Sequence, residues 1–130
     1  MNDIIIQFRK LAKQSWDVLE ANYYDCRKVE PYYVKVLEFV KEHPECRSAF
    51  IKEFMGILGS KGMPWELIQF CMRELQWQEI KDAVLLKMKE EIAGNHDWRI
   101  ISVLSSILEV YEEEWEDSDL YLYYSKNGKN

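Results

Sequence analysis

Apolar residues recur every three or four positions along nearly the whole chain, which is the period of an amphipathic α-helix. The first stripe predicts a helix from about Asp3 to Ala21. A second stripe predicts a helix that begins at Pro31, because a helix does not need the missing proline N–H at its first position. Pro44 and Pro64 are predicted to open a third and a fourth helix. No stretch shows the strict alternation of a half-buried strand, so the pattern indicates an all-α protein.

Two further helices are predicted toward the C-terminus. A stripe from Trp77 to Ile92 gives the fifth, and Gly94 is expected to end it in the left-handed conformation that glycine adopts without cost. Asp97 is expected to cap the sixth by accepting hydrogen bonds from free backbone N–H groups. The sixth helix has an apolar stripe that predicts its buried face: Ile100, Leu104, Ile107, Leu108 and Tyr111.

Six helices joined by short connections indicate sequential neighbours that pack antiparallel. The pattern leaves two architectures open, a compact bundle and a short superhelical stack of three hairpins. The 130 residues suit one domain, residues 1–130. Gly56, Gly59 and Gly62 form a glycine cluster, which predicts halves 1–58 and 64–124 around a hinge at 59–63. The polar tail 125–130 is expected to be disordered.

The segments PWELIQFCMRELQWQEIKDAVLLKMKEEI and DWRIISVLSSILEVY, within residues 64–111, resemble HEAT-like helical repeats. Such repeats pair two helices across a tight bend, and Ile80, Ala83 and Val84 lie where the inner stripe of the second helix would be. The chain departs from the family because no second copy follows at a fixed period. The resemblance implies a scaffold for contacts with other proteins and no particular chemistry.

Charge and cysteine content narrow the classes of function. The net charge is −6, with +1 over residues 1–65 and −7 over residues 66–130, so nucleic-acid binding through the general surface is disfavoured. The three cysteines, Cys26, Cys46 and Cys71, form no C-x-x-C motif, and an odd count predicts reduced thiols and a cytoplasmic protein. No apolar run reaches the length of about 18 residues that a membrane span needs.

Metal and catalytic motifs are sparse. His43 and Cys46 are two zinc-ligand types three residues apart, but structural zinc sites use two such pairs. The segment Gly59–Gly62 is too short for a phosphate-binding loop. We therefore expect no metal, no cofactor and no enzymatic activity.

Acidic residues crowd the C-terminal region, with seven between Glu109 and Asp119. If the sixth helix continued, Glu109, Glu112, Glu113 and Glu116 would share one face. This placement is costly, because like charges repel and negative charge opposes the dipole at a helix C-terminus. The acids are therefore a solvated face neutralised by Arg9, Lys10 or Lys13, a docking patch, or catalytic carboxylates.

Aromatic residues interleave with these acids, and they either anchor a partner or fold the segment back onto the helices. The sequence predicts the following partner-binding residues: Glu109, Glu112, Glu113, Glu116, Asp117, Asp119, Trp115 and Tyr121.

The leading hypothesis is a monomeric, non-enzymatic interaction module whose acidic, aromatic C-terminal face binds a basic protein. In one version of this hypothesis, the basic partner is a nucleic-acid-processing protein. One alternative is a small-ligand binder or enzyme with a cleft between the helical halves. Another is nucleic-acid binding through a local basic patch on and after the first helix, formed by Arg9, Lys10, Lys13, Arg27 and Lys28.

Overall fold

The computed structural model describes residues 2–22, 25–59, 65–115 and 120–124, and every regular element in these ranges is helical. The elements are α1 (Asn2–Ala21), α2 (Cys26–Glu42), a 3-10 turn (Pro44–Cys46), α3 (Arg47–Leu58), α4 (Glu66–Leu75), α5 (Gln78–Ala93) and α6 (Trp98–Glu109). The predicted all-α class and its six helices are confirmed. None of the described helices combines the length and the apolar character that crossing a bilayer requires.

The chain divides into two units. Unit 1 comprises Met1–Arg47 together with Trp115–Asn130, and unit 2 comprises Ser48–Glu114. Of the predicted hinge 59–63 only Gly59 is described, and the tail 125–130 lies outside the described residues. The hinge and the disordered tail therefore stay predictions.

In unit 1, α1 packs against α2. The predicted start of α2 at Pro31 is wrong, because the helix begins at Cys26 and Pro31 lies inside it. Asp25 caps this end, where its Oδ1 accepts from the Arg27 backbone N–H at 2.9 Å. The turn before the proline is also held by burial, since Val29 is fully buried and Glu30 nearly so. These contacts offset the backbone hydrogen bond that the proline removes.

Unit 2 is built around an α5–α6 hairpin, with α4 also packed on α6. The two helices of the hairpin run antiparallel, because the Tyr111 hydroxyl, just after α6, donates to the Trp77 carbonyl, just before α5, at 2.9 Å. Leu104 and Ile107 are fully buried, as predicted. The buried face of α6 begins at Ile101, whereas the prediction placed it at Ile100.

At the connection between α5 and α6, one prediction is wrong and another is confirmed. Gly94 ends α5 with φ −106°, and the left-handed residue is His96, at φ 54°. A Cβ at position 94 would lie 3.1 Å from the Glu90 carbonyl oxygen, so glycine serves a close backbone approach here. Asp97 caps α6 as predicted, with its Oδ1 2.9 Å from the Arg99 nitrogen. That backbone hydrogen bond lowers the pKa of the Asp97 carboxyl.

Candidate functional site

The acidic region begins where α6 ends, so the condition under which its acids would share one helical face is not met. The helix stops at Glu109, so its acids do not share one helical face with those that follow. Arg73 of α4 binds the backbone carbonyls beyond this end. Its guanidinium donates to the carbonyl oxygens of Val110 at 3.0 Å, Glu112 at 2.6 Å and Glu113 at 3.0 Å. Carbonyls at a helix C-terminus have no partner within their own helix, and a cation there also suits the helix dipole. We call residues 109–114 the acidic turn.

Gln76 holds the same turn from the end of α4. It adopts the left-handed conformation, with φ 53° and ψ 38°, and so ends the helix. Its side-chain amide donates to the Met72 and Arg73 carbonyls of its own helix and, at 2.9 Å, to the Val110 carbonyl. Two side chains at the C-terminal end of α4 therefore donate hydrogen bonds to the backbone of the acidic turn and restrain it.

The carboxylates of the acidic turn point to solvent. Glu109, Glu112, Glu113 and Glu114 are all exposed. Among the described residues of unit 2, no Lys or Arg side chain forms an ion pair with any of them. Arg73 binds the backbone of the turn and leaves the carboxylate oxygens available. The electrostatic cost of placing negative charge here is thus offset by the hydrogen bonds that Arg73 donates to main-chain carbonyls.

Two acids of α5 lie close to the same end of the hairpin. Burial raises the pKa of the Tyr111 hydroxyl, and the negative charges of Asp82 and Glu79 raise it further. Lys81 lies beside this ring, with its Nζ 5.7 Å from the ring centroid. Negative charge at this end of unit 2 therefore comes from α5 as well as from the acidic turn.

The aromatic part of the predicted site is corrected. Trp115 and Tyr121 are only 4% and 2% exposed, so their rings are not available to a partner. They stack on each other with ring centroids 6.0 Å apart, and Tyr121 also lies 6.3 Å from Tyr33 of α2. Fold-back of this segment, the other alternative drawn from the sequence, is what these contacts show. Glu116, Asp117 and Asp119 lie outside the described residues.

Glu30 fixes the folded-back segment. Its carboxylate is 8% exposed and accepts from the backbone N–H groups of Leu122 at 3.0 Å and Tyr123 at 2.7 Å. Free N–H groups at the start of a helical turn favour a negative charge. The sequence contains no local signal for this contact, because Glu30 and its two donors are more than 90 residues apart.

The other predicted groups do not assemble into a site within either unit. On α1, Lys13 forms an ion pair with Asp17 at 3.2 Å, and Arg27 lies 3.7 Å from Asp25. The His43 ring nitrogen lies 3.3 Å from a Glu45 oxygen. Across the described part of the chain, no three His, Cys, Asp or Glu side chains are grouped as metal ligands would be.

Several large apolar side chains are exposed. Trp98 is 70% exposed, Ile92 50% and Met55 39%. Trp98 begins α6 and packs edge-on against His96, with ring centroids 4.8 Å apart. In α5 only Ile80 and Val84 are buried, so its long apolar stripe is only partly covered.

Comparison with protein-family models, with curated proteins and with solved structures found no match to this chain. The resemblance to HEAT-like repeats therefore stays a prediction.

Proposed function

We propose that this protein is a non-enzymatic interaction module that binds a basic protein through the acidic turn. The observation that carries the proposal is the combination of exposed carboxylates with a fixed backbone. Glu112 and Glu113 present free side chains while their own carbonyls are bound by Arg73.

A fixed backbone matters because a binding surface that is already ordered loses less conformational entropy when it binds. Acidic side chains on a flexible tail would attract the same partner but would have to be ordered first. Exposed charges at the rim of an interface chiefly speed encounter and select partners, and salt screens their effect. The proposed complex is therefore expected to weaken as ionic strength rises.

The chemistry of the site defines the partner as a protein with a cluster of Lys or Arg side chains. Proteins that bind nucleic acid carry such clusters, so a nucleic-acid-processing partner is one version of this proposal. The proposal includes a cytoplasmic location, which rests on the odd cysteine count and on the buried thiols of Cys46 and Cys71. Trp115 and Tyr121 are assigned to the core of unit 1 and take no direct part.

The proposal is tested by affinity capture from a native lysate, with bound proteins identified by mass spectrometry. The bait is compared with a variant that carries Glu112→Gln, Glu113→Gln and Glu114→Gln. Basic proteins held by the wild type at low salt should be lost from the variant and should be released by added salt. The variant should remain as stable as the wild type or gain a few tenths of a kcal/mol, because repulsion between like charges is removed.

A matched control carries Glu20→Gln, Glu38→Gln and Glu42→Gln, three exposed acids of unit 1. It changes the net charge by the same amount at a different place. If both triple variants lose the same proteins equally, the attraction is a property of the net charge and the acidic turn is not the docking site.

A further inference from the structure

The outer face of α5 carries two exposed leucines. Leu85 is 44% exposed and Leu86 is 58% exposed. Together with Asp82 and Lys89 they line a shallow surface depression. Exposed apolar side chains that adjoin one another mark contact surfaces more often than single ones do.

Two oppositely charged residues lie at symmetric positions on either side of this leucine pair. Asp82 precedes the midpoint between Leu85 and Leu86 by the same number of residues as Lys89 follows it. The two charged residues lie seven positions apart, so they are on nearly the same line along the helix and about 10.5 Å apart. The Gln78 side-chain amide donates to Asp82 Oδ1 at 2.9 Å and holds that carboxylate in place.

A second pair has the same relation to the midpoint. Lys81 precedes it by as many residues as Glu90 follows it, again with opposite charges. If a second α5 packed antiparallel across a twofold axis through the midpoint, each Asp82 would face a Lys89 and each Leu85 a Leu86. Each Lys81 would lie on the side of a Glu90. The face is therefore complementary to itself, which is what the interface of a twofold dimer requires.

We propose that α5 forms the interface of a symmetric dimer, in which the outer faces of two α5 helices pack antiparallel around Leu85 and Leu86. This dimer replaces the monomer expected from the sequence and does not depend on the acidic turn. A contact of one helix per subunit lies at the small end of specific interfaces, so a dissociation constant on the order of micromolar is expected.

The dimer is tested by sedimentation velocity of the full chain over concentrations from about 0.1 μM to about 100 μM, a range that extends below and above the expected constant. Asp82→Lys and Lys89→Asp each place like charges opposite one another at both ends of the interface. Each should weaken dimerisation by about tenfold or more, because two exposed pairs change from attraction to repulsion. The double variant Asp82→Lys/Lys89→Asp restores both pairs and should recover the dimer.

Lys52→Asp is the matched control, since Lys52 is an exposed cation of α3 and the charge change equals that of Lys89→Asp. It should dimerise like the wild type. Leu85→Ala and Leu86→Ala give a second set of variants, which should also weaken the dimer. Circular dichroism checks that each variant is folded.

A wild type that sediments as a monomer over the whole range would overturn the proposal, whatever other protein binds this face. So would a dimer that the single charge variants leave intact, or a double variant that remains a monomer after both single variants have lost the dimer.

Discussion

Arg73→Met removes the side chain that holds the acidic turn and keeps a similar length and apolar stem. Three hydrogen bonds to carbonyls are lost, at 3.0, 2.6 and 3.0 Å. The Val110 carbonyl is partly buried but keeps Gln76 as a donor, while the carbonyls of Glu112 and Glu113 are exposed and can bind water. A buried hydrogen bond to a charged group contributes about 1.5–3 kcal/mol and a solvated one less, so the total loss should be about 2–3 kcal/mol.

The assay is urea unfolding followed by circular dichroism, in which the midpoint falls while the slope stays constant. Arg99→Met is the matched control, because the Arg99 side chain is 93% exposed and makes a single ion pair with Asp97. That control should lose less than about 1 kcal/mol, as exposed pairs do. If Arg73→Met cost no more than Arg99→Met, the three carbonyl contacts would not hold the turn, and the reasoning would fail.

Three further results are expected. Leu104→Ala should cost about 2–5 kcal/mol in urea unfolding, because it opens a cavity at a fully buried position; an unchanged midpoint and slope would refute this placement. Glu30→Gln keeps one acceptor oxygen for two donors, so hydrogen exchange at the Leu122 and Tyr123 amides should become faster, and unchanged exchange at both would contradict the contact. Burial raises the pKa of the Cys71 thiol, so the unfolded chain releases this proton first as pH rises. Stability should therefore fall above about pH 8.5, by up to about 1.4 kcal/mol per pH unit from this group, and Cys71→Ala should show a shallower fall.

Local signals in the sequence predict the elements of this fold well. The helical period and the Asp97 cap specify α6, and Leu104 and Ile107 are buried as the period requires. These features depend on residues three or four apart, whose relation is the same in any helix. The start of α2 carries the same kind of local signal in its Asp25 cap, but the helix-start preference of Pro31 pointed to a later residue, and the burial of Val29 and Glu30 that lets the helix include this proline is not a local signal.

The acidic region was recognised from composition, but its geometry was not. Arg73 and Val110 are 37 residues apart, so no local pattern indicates that this arginine binds the end of α6. The carbonyl contacts explain how the chain tolerates glutamates at a helix C-terminus, a cost that was evident from the sequence. The outer face of α5 was missed for a different reason: its leucines continue an apolar stripe, and periodicity alone does not tell which side of a helix is covered.

The proposed binding of a basic partner depends on the fixed backbone of the acidic turn as well as on its charge. The test is affinity capture with Arg73→Lys, which keeps the net charge at −6 and every carboxylate but replaces the two guanidinium nitrogens that reach the three carbonyls with a single ammonium nitrogen. This variant, folded by circular dichroism, is expected to capture less of the basic proteins that the wild type retains. Equal capture would contradict the proposed role of the turn, because the charge alone would then suffice and the held backbone would have no part in binding.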